Sequence, residues 1–435
     1  MSIEVFKNNI EAVESLLRNE FGSDVKIKWP DSKNGGTNKS SYEVLIDDKP
    51  FFVSVIEPKE VNPTHGLAPD EAKKKHEFFA NLSENINTVS IKDRLEDKNN
   101  KVSANFSDYV NINENSVSFI NIEDSENNRI INKAVIITKN YIANDAGLVR
   151  ESANDLTNEE AYVLGRAYSG LFKRADDTHS IEELREVFGD KDPYDPNTIL
   201  ANLYESLADN YKLKNIGIGL RISANKKVEV EDSILIDEGK KYVDKFIETV
   251  QKIADSYDKI EGLSIGLVHG DPWFDNVILE NGNIKAQDLT NKPLKSIGID
   301  LENTGIGYKA VDALMTLTSL NAVDNKTGVL TEKGKNALRG YDEVKILDEN
   351  FEKYSFLLKA LAEAYIGNMR LDKFANGVFN KRSPKEIIED CGTSIENYEN
   401  GMEIKTKDIL TCPSSEILAQ EGMKHINKRF SALSQ

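Results

Sequence analysis

A chain of 435 residues is long enough for two or three domain-sized units, and its 39% hydrophobic content places it in the soluble globular class. The formal net charge of −18 argues against nucleic acid and anionic membrane as partners. Two cysteines, Cys391 and Cys412, cannot make a disulfide framework, and five scattered histidines show no zinc spacing. No apolar run approaches the ~20 residues of a membrane span. The opening MSIEVFKNNIEAVESLL lacks a basic segment followed by an apolar one, so no secretory signal is expected and the expected setting is reducing and cytoplasmic.

From Met1 to about Asn19, Ile3, Phe6, Ile10, Val13, Leu16 and Leu17 recur at helical spacing. Alternation over Val25–Trp29 predicts a strand with Trp29 in the core. A turn cluster, Asn34-Gly35-Gly36-Thr37-Asn38, leads into two strands, Ser41–Ile46 and Phe51–Ile56, joined at Asp47-Asp48. Ala68–Ser83 reads as a helix, and Ser116–Ile122 and Lys133–Thr138 as two more strands. The Asn/Asp/Lys-rich segment 92–114 reads as an irregular insertion. From Asn158 the pattern turns helical: Glu160–Arg174, Pro193–Asn215, Asp237–Tyr257, and nearly everything after Val311. The expected architecture is α+β and bilobal. A small β-rich N-terminal lobe (1–142) precedes a large, mostly helical lobe (143–435).

The chemistry concentrates between Leu267 and Leu314. Asp271 follows His-Gly and stands five residues before Asn276, which opens the apolar run Val-Ile-Leu. A second run, Ser-Ile-Gly-Ile, delivers Asp300. Phosphoryl transfer needs a carboxylate to orient a hydroxyl and take its proton, and oxygen ligands to hold Mg²⁺ against phosphates. Asp271 suits the first task; Asn276 and Asp300 suit the second. Glycines at 35 and 36 would let backbone N–H groups approach phosphates, although such a pair is also an ordinary turn.

These motifs, HGDPWFDNVIL and IDLENTGIGYKAVDAL, resemble the aminoglycoside phosphotransferase and choline kinase superfamily, which has a protein-kinase-like fold. Asp300, Glu302, Gly305, Gly307 and Asp312 keep much of its internal spacing. The resemblance implies ATP as donor, Mg²⁺, Asp271 as catalytic base, and Asn276 and Asp300 as metal ligands. It implies nucleotide contacts at Gly35, Gly36, Thr37 and Asn38, and at Thr138 and Tyr141, where the strand to the adenine hinge belongs. Within the superfamily the chain looks nearest to homoserine kinase. That shading rests on Phe52–Glu57, on Pro69–Phe79 and on Gly340–Leu347 with the helix after it. The implied activity is phosphorylation of a small-molecule hydroxyl. Homoserine or a similar amino alcohol comes first, with aminoglycoside, choline or sugar as alternatives. A pseudokinase, a regulatory nucleotide-binding protein and a kinase acting on a macromolecule are the rival readings.

The chain also departs from the pattern. Ser54 stands where most of these kinases place a phosphate-binding lysine, leaving Lys39 or Lys59 as substitutes and Glu71 or Glu77 as helix partners. Extra length falls at 92–114, 178–231 and after Asp372. The spacing from Asn276 to Asp300 is stretched by an insertion near Leu289–Lys295, so Asp288 is a lesser rival for the metal. Asp312 is expected to cap or tie down the helix that follows. His269 is expected to hydrogen-bond loop backbone, and Tyr308 and Lys309 to lie on the surface. Trp273 is either a pocket wall able to stack on a cation or a packing residue; Phe274 is expected to pack.

Overall fold

The computed structural model describes residues 5–29, 33–35, 39–61, 66–88, 102–106, 117–125, 127–139, 147–148, 152–190, 192–280, 294–298, 301–342, 347, 349–379 and 384–406. The chain forms two compact units. The first comprises 1–149, 177–189 and 275–302, and the second 150–176, 190–274 and 303–435.

The first unit is built on an antiparallel sheet. Its strands are β1 (Ile27–Lys28), β2 (Lys33–Gly35), β3 (Lys39–Ile46), β4 (Lys49–Ile56), β6 (Val117–Asp124) and β7 (Arg129–Lys139), in the order β1-β3-β4-β7-β6 with β2 also on β3. β3 and β4 turn through Asp47 and Asp48, both at positive φ (50° and 63°). Aspartate tolerates that region, and a two-residue turn of this hand matches the twist of the strands it joins. Helix α1 (Asn9–Phe21) buries Ala12, Val13 and Leu17 against Val44, Val53, Val55, Val135 and Ile137 on one sheet face. Helix α2 (Pro69–Thr88) covers the other face, where Ala72 and Leu67 meet Ile56, Val117, Ala134 and Ile136. Helix α4 (Ile181–Phe188) packs Phe188 against Phe78 and Phe79 of α2.

A second sheet in the same unit has the order β5 (Val102–Phe106), β11 (Leu294–Gly298), β10 (Val277–Glu280), β8 (Gly147–Leu148), with β5 and β11 parallel.

Three sequence expectations change here. The first helix starts at Asn9, not Met1, because the Asn8 side chain caps it by accepting from the Glu11 N–H at 3.0 Å; Phe6 instead bridges to Ile122 of β6. Segment 92–114 contains a strand, β5, whose partner lies nearly 200 residues on, as the pairing Val102↔Leu294 shows. Its polar composition hid it, since its partner supplies the ladder. The stretch Pro193–Asn215 is two helices, α5 (Pro196–Ala208) and α6 (Asn210–Ser223). They divide at Asp209, which caps α6 by accepting from Tyr211 N–H at 2.8 Å.

The second unit holds a two-stranded ladder of β9 (Ile265–Val268) and β12 (Gly305–Tyr308) among helices α3 (Asn158–Thr178), α5, α6, α7 (Asp232–Tyr257), α8 (Lys309–Ser319), α9 (Glu332–Asp342), α10 (Phe351–Ala375) and α11 (Pro384–Glu399). Helix α10 is buried on nearly every side, from Phe351 through Leu357, Leu361 and Phe374, so it is the axis of this core. None of the described helices is long and apolar enough to cross a membrane.

Candidate active site

β9 ends in the buried Leu267 and Val268 and hands the chain to His269-Gly270-Asp271. β12 pairs with it through Gly305↔Val268 and Ile306↔Leu267, then runs directly into α8. That ladder brings Asp312 of α8 under the loop. Asp312 is fully buried and accepts from the His269 N–H at 2.6 Å, the Gly270 N–H at 3.4 Å and the Tyr194 hydroxyl. Its expected task, capping or fixing its own helix, is therefore corrected. Tyr308 occupies the cap of α8 without a side-chain bond, and Asp312 ties down the His269-Gly270 backbone instead.

The rest of the loop is held as closely. His269 is buried, takes the Asp271 N–H on Nδ1 at 3.3 Å and sits edge-on to Tyr168, as its backbone role required. The Tyr168 hydroxyl donates to the Trp273 carbonyl at 2.5 Å, and Thr316 Oγ1 donates to the Pro272 carbonyl at 3.1 Å. Trp273 N–H returns to the Asp271 carbonyl at 2.9 Å. The half-buried Asp271 carboxylate thus projects from a backbone fixed on both sides.

Gly270 has φ +79°, and a Cβ there would stand 2.2 Å from the Asn303 carbonyl oxygen. A side chain would need both a left-handed backbone and displacement of that strand-leading segment. Gly270→Ala is expected to cost about 2 kcal/mol or more. A chemical denaturation curve checks it; a variant as stable as wild type would contradict the close approach.

Burial pushes the Asp312 carboxyl up to about 7, against the opposing pull of the Tyr194 hydroxyl and the two loop amides. Burial likewise lifts Asp192, which accepts from the Tyr257 hydroxyl and the Tyr194 N–H, to about 6. An acid whose folded pKa is raised keeps a proton that the unfolded chain has released. The stability from Asp312 is therefore present near pH 4 and falls as pH rises from about 4 to about 7, by roughly 4 kcal/mol at most. Asp312→Asn, measured by urea midpoints at pH 5 and pH 8, is expected to flatten that slope; an unchanged slope would reject the assignment.

Two further expectations are corrected. Lys309 is no surface residue: it is largely buried and ion-paired with Asp176, with Gly266 leaving room for the pair. Tyr308 is half-buried, edge-on to Tyr257 at 5.4 Å. Phe274 packs at 6% exposure, as expected. Trp273 is half-buried, with the Arg370 guanidinium of α10 lying 6.0 Å from its ring centre. Tyr365 of the same helix is raised by burial first and then by the nearby charges of Asp271 and Asp312, so α10 faces the loop.

The remaining site residues belong to the first unit. Asn276 is half-buried at the end of a 3-10 turn (Phe274–Asn276), directly before Val277, whose ladder partner is Gly298 of β11. Asp300, two positions beyond Gly298, lies outside the described residues, as do Gly36, Thr37, Asn38, Tyr141 and Asp288. Gly35 ends β2 opposite Ser40, and Thr138 in β7 lies opposite Phe52 of β4, so both are carried by one sheet. Ser54 falls in the row Ser41–Ser54–Ile136. With Thr138 two positions from Ile136, both share the face that α2 covers. Sequence reasoning missed Tyr168, Tyr194 and Thr316. Each lies outside the loop motif, and nothing local marks a hydroxyl whose partner is a distant carbonyl or carboxylate.

By structure, the chain is similar to an amicoumacin kinase in complex with AMP-PNP and Ca²⁺: 10% identity, 87% of this chain and 90% of that one, TM-score 0.50. It is also similar to a spectinomycin phosphotransferase in complex with ADP and spectinomycin (12% identity, 89% and 97% covered, TM-score 0.49). A third is a Plasmodium vivax ethanolamine kinase (12% identity, 88% and 86% covered, TM-score 0.48). No family model matches the chain, and no curated protein matches it by sequence. The likeness to the amicoumacin kinase establishes the fold, the kinase-like α+β architecture that the motifs imply.

Proposed function

We propose that the protein is an ATP- and Mg²⁺-dependent phosphotransferase acting on a hydroxyl of a small molecule. The observation that carries this reading is the buried Asp312, which holds the His269-Gly270-Asp271 backbone so that one carboxylate is fixed in place. Asp271 orients the acceptor hydroxyl and takes its proton. Asn276 and Asp300 are the metal ligands, and their neutral amide oxygen and carboxylate are the hard oxygen donors that Mg²⁺ prefers. The metal, when bound, neutralises phosphate charge. The Gly35–Asn38 segment, Thr138 and Tyr141 bind the nucleotide.

For the acceptor, the guanidinium of Arg370 already lies over Trp273, so that ring face is not open to a cationic group. Homoserine or a similar amino alcohol comes first as acceptor, with aminoglycoside, choline or sugar as alternatives. The test is ADP formation with Mg²⁺ against a panel of hydroxy amino acids, amino alcohols, aminoglycosides and sugars, with nucleotide binding measured in parallel. Turnover with a hydroxy amino acid is expected. Neither turnover nor binding would remove the kinase reading; binding without turnover would favour a regulatory nucleotide-binding protein.

A further inference from the structure

Resting on the phosphotransferase reading, we propose that the Tyr365 hydroxyl of α10 is the second anchor for the acceptor, binding one of its polar groups while Asp271 takes the reacting hydroxyl. Every residue of α10 from Tyr354 to Asn368 is buried except Tyr365, which is half-buried. Gly367 marks the closed side of the helix, since a Cβ there would stand 3.0 Å from the Phe246 ring of α7 and 3.6 Å from Ile388 of α11. Two residues along a helix is about 200° of rotation, so Tyr365 points the other way. It faces the loop after β9. Its ring meets that of Tyr194 edge-on at 5.1 Å, and the Tyr194 hydroxyl donates to Asp312, the residue beneath His269 and Gly270. The charges of Asp271 and Asp312 both reach the Tyr365 hydroxyl. Five positions on, the Arg370 guanidinium lies 6.0 Å from the Trp273 ring centre. Asp271, Trp273, Tyr365 and Arg370 are all half-buried, and all belong to the second unit.

Packing accounts for the Tyr365 ring but not for its oxygen, because phenylalanine would make the same edge-on contact with Tyr194. Other tyrosines around the loop turn their hydroxyls into the scaffold: Tyr168 to the Trp273 carbonyl, Tyr194 to Asp312, and Tyr341 to Thr316. The Tyr365 hydroxyl has no hydrogen-bond partner among the described residues. A phenol hydroxyl taken largely out of water ordinarily has one. Burial first, and then the charges of Asp271 and Asp312, keep it protonated. It can therefore donate to an oxygen, and its lone pairs can accept from an ammonium. Either contact suits the second functional group of a hydroxy amino acid or an amino alcohol. A small acceptor held only at its reacting hydroxyl can still rotate about that contact. A second fixed point beside Asp271 sets the direction from which the hydroxyl attacks.

The test is steady-state ADP release by the full chain with homoserine, or with the panel acceptor that turns over fastest. Tyr365→Phe keeps the ring and is expected to raise the acceptor KM about three- to tenfold, with the KM for ATP within about twofold of wild type. Tyr194→Phe is the contrast. It removes a hydroxyl that holds Asp312, so kcat is expected to fall while the acceptor KM changes less than about twofold. Where Tyr365→Phe does not fold, Tyr365→Met takes its place under the same criteria. An acceptor KM within about twofold of wild type in the Tyr365 variant overturns the inference. So does an equal rise in both of its KM values, or an equal rise of the acceptor KM in Tyr194→Phe, since either would mean a general disturbance of the loop. Wild-type protein that releases no ADP with any acceptor in the panel removes the parent reading instead, so the two failures are distinguishable.

Discussion

Asp271→Ala is expected to lower kcat by about 10²- to 10⁴-fold while leaving nucleotide affinity nearly unchanged. The backbone around the residue is held by groups of other residues. His269 and Gly270 are held by Asp312, the Pro272 carbonyl by Thr316 and the Trp273 carbonyl by Tyr168. The Asp271 backbone contacts, its N–H to His269 and its carbonyl from Trp273, survive truncation at Cβ. The loss should therefore appear in turnover and not in folding. Steady-state ADP release with the best panel acceptor, alongside thermal melting, separates the two. Turnover within tenfold of wild type would reject Asp271 as the base. A large drop in melting temperature would mean that the carboxylate holds the loop as well.

The second large effect is on stability. Lys359 and Glu363, one turn apart on α10, form an ion pair with both side chains only 3% exposed, and Ser394 of α11 donates to Glu363 at 2.7 Å. Burial raises the Glu363 carboxyl, opposed by the charge and hydrogen bond of Lys359. Lys359→Met removes the opposing charge and leaves a carboxylate in the core, a change of about 3–5 kcal/mol. The sign with pH follows. With the Glu363 pKa raised further in the folded state, the variant keeps a proton there at low pH and is hurt most as pH rises. Urea unfolding at pH 5 and pH 8 reads both effects. The double variant Lys359→Met/Glu363→Met, which removes both charges, is expected to recover most of the loss. A single variant within about 1 kcal/mol of wild type would show that the pair is less desolvated than its burial implies.

Legibility differed between parts of the molecule for physical reasons. The β3–β4 hairpin was plain, since alternation and an Asp-Asp turn are local properties. So was the order of Asp271 and Asn276, because loop chemistry is spelled in consecutive residues. Strand β5 was not plain: its ladder partner β11 is far away in sequence, and its own composition resembles a loop. Lys309 read as a surface residue because lysine usually is one, and only Asp176 on α3 makes its burial affordable. Asp312 was visible as a residue with a job, but not as the residue that holds the loop, because the β9–β12 ladder decides what lies beneath His269.

By itself, the sequence determined the fold class, the helix and strand periods, and which carboxylates and amides could serve a phosphoryl transfer. These follow from side-chain identity and short-range spacing. The tertiary structure alone decided that segments 177–189 and 275–302 join the first unit, so that Asp271 and Asn276, five residues apart, are carried by different compact bodies. It alone decided that Lys75 turns inward while Lys73 and Lys74 reach towards water. Both outcomes depend on which surfaces meet across long loops, where burial and pairing of charge outweigh anything the local chain prefers.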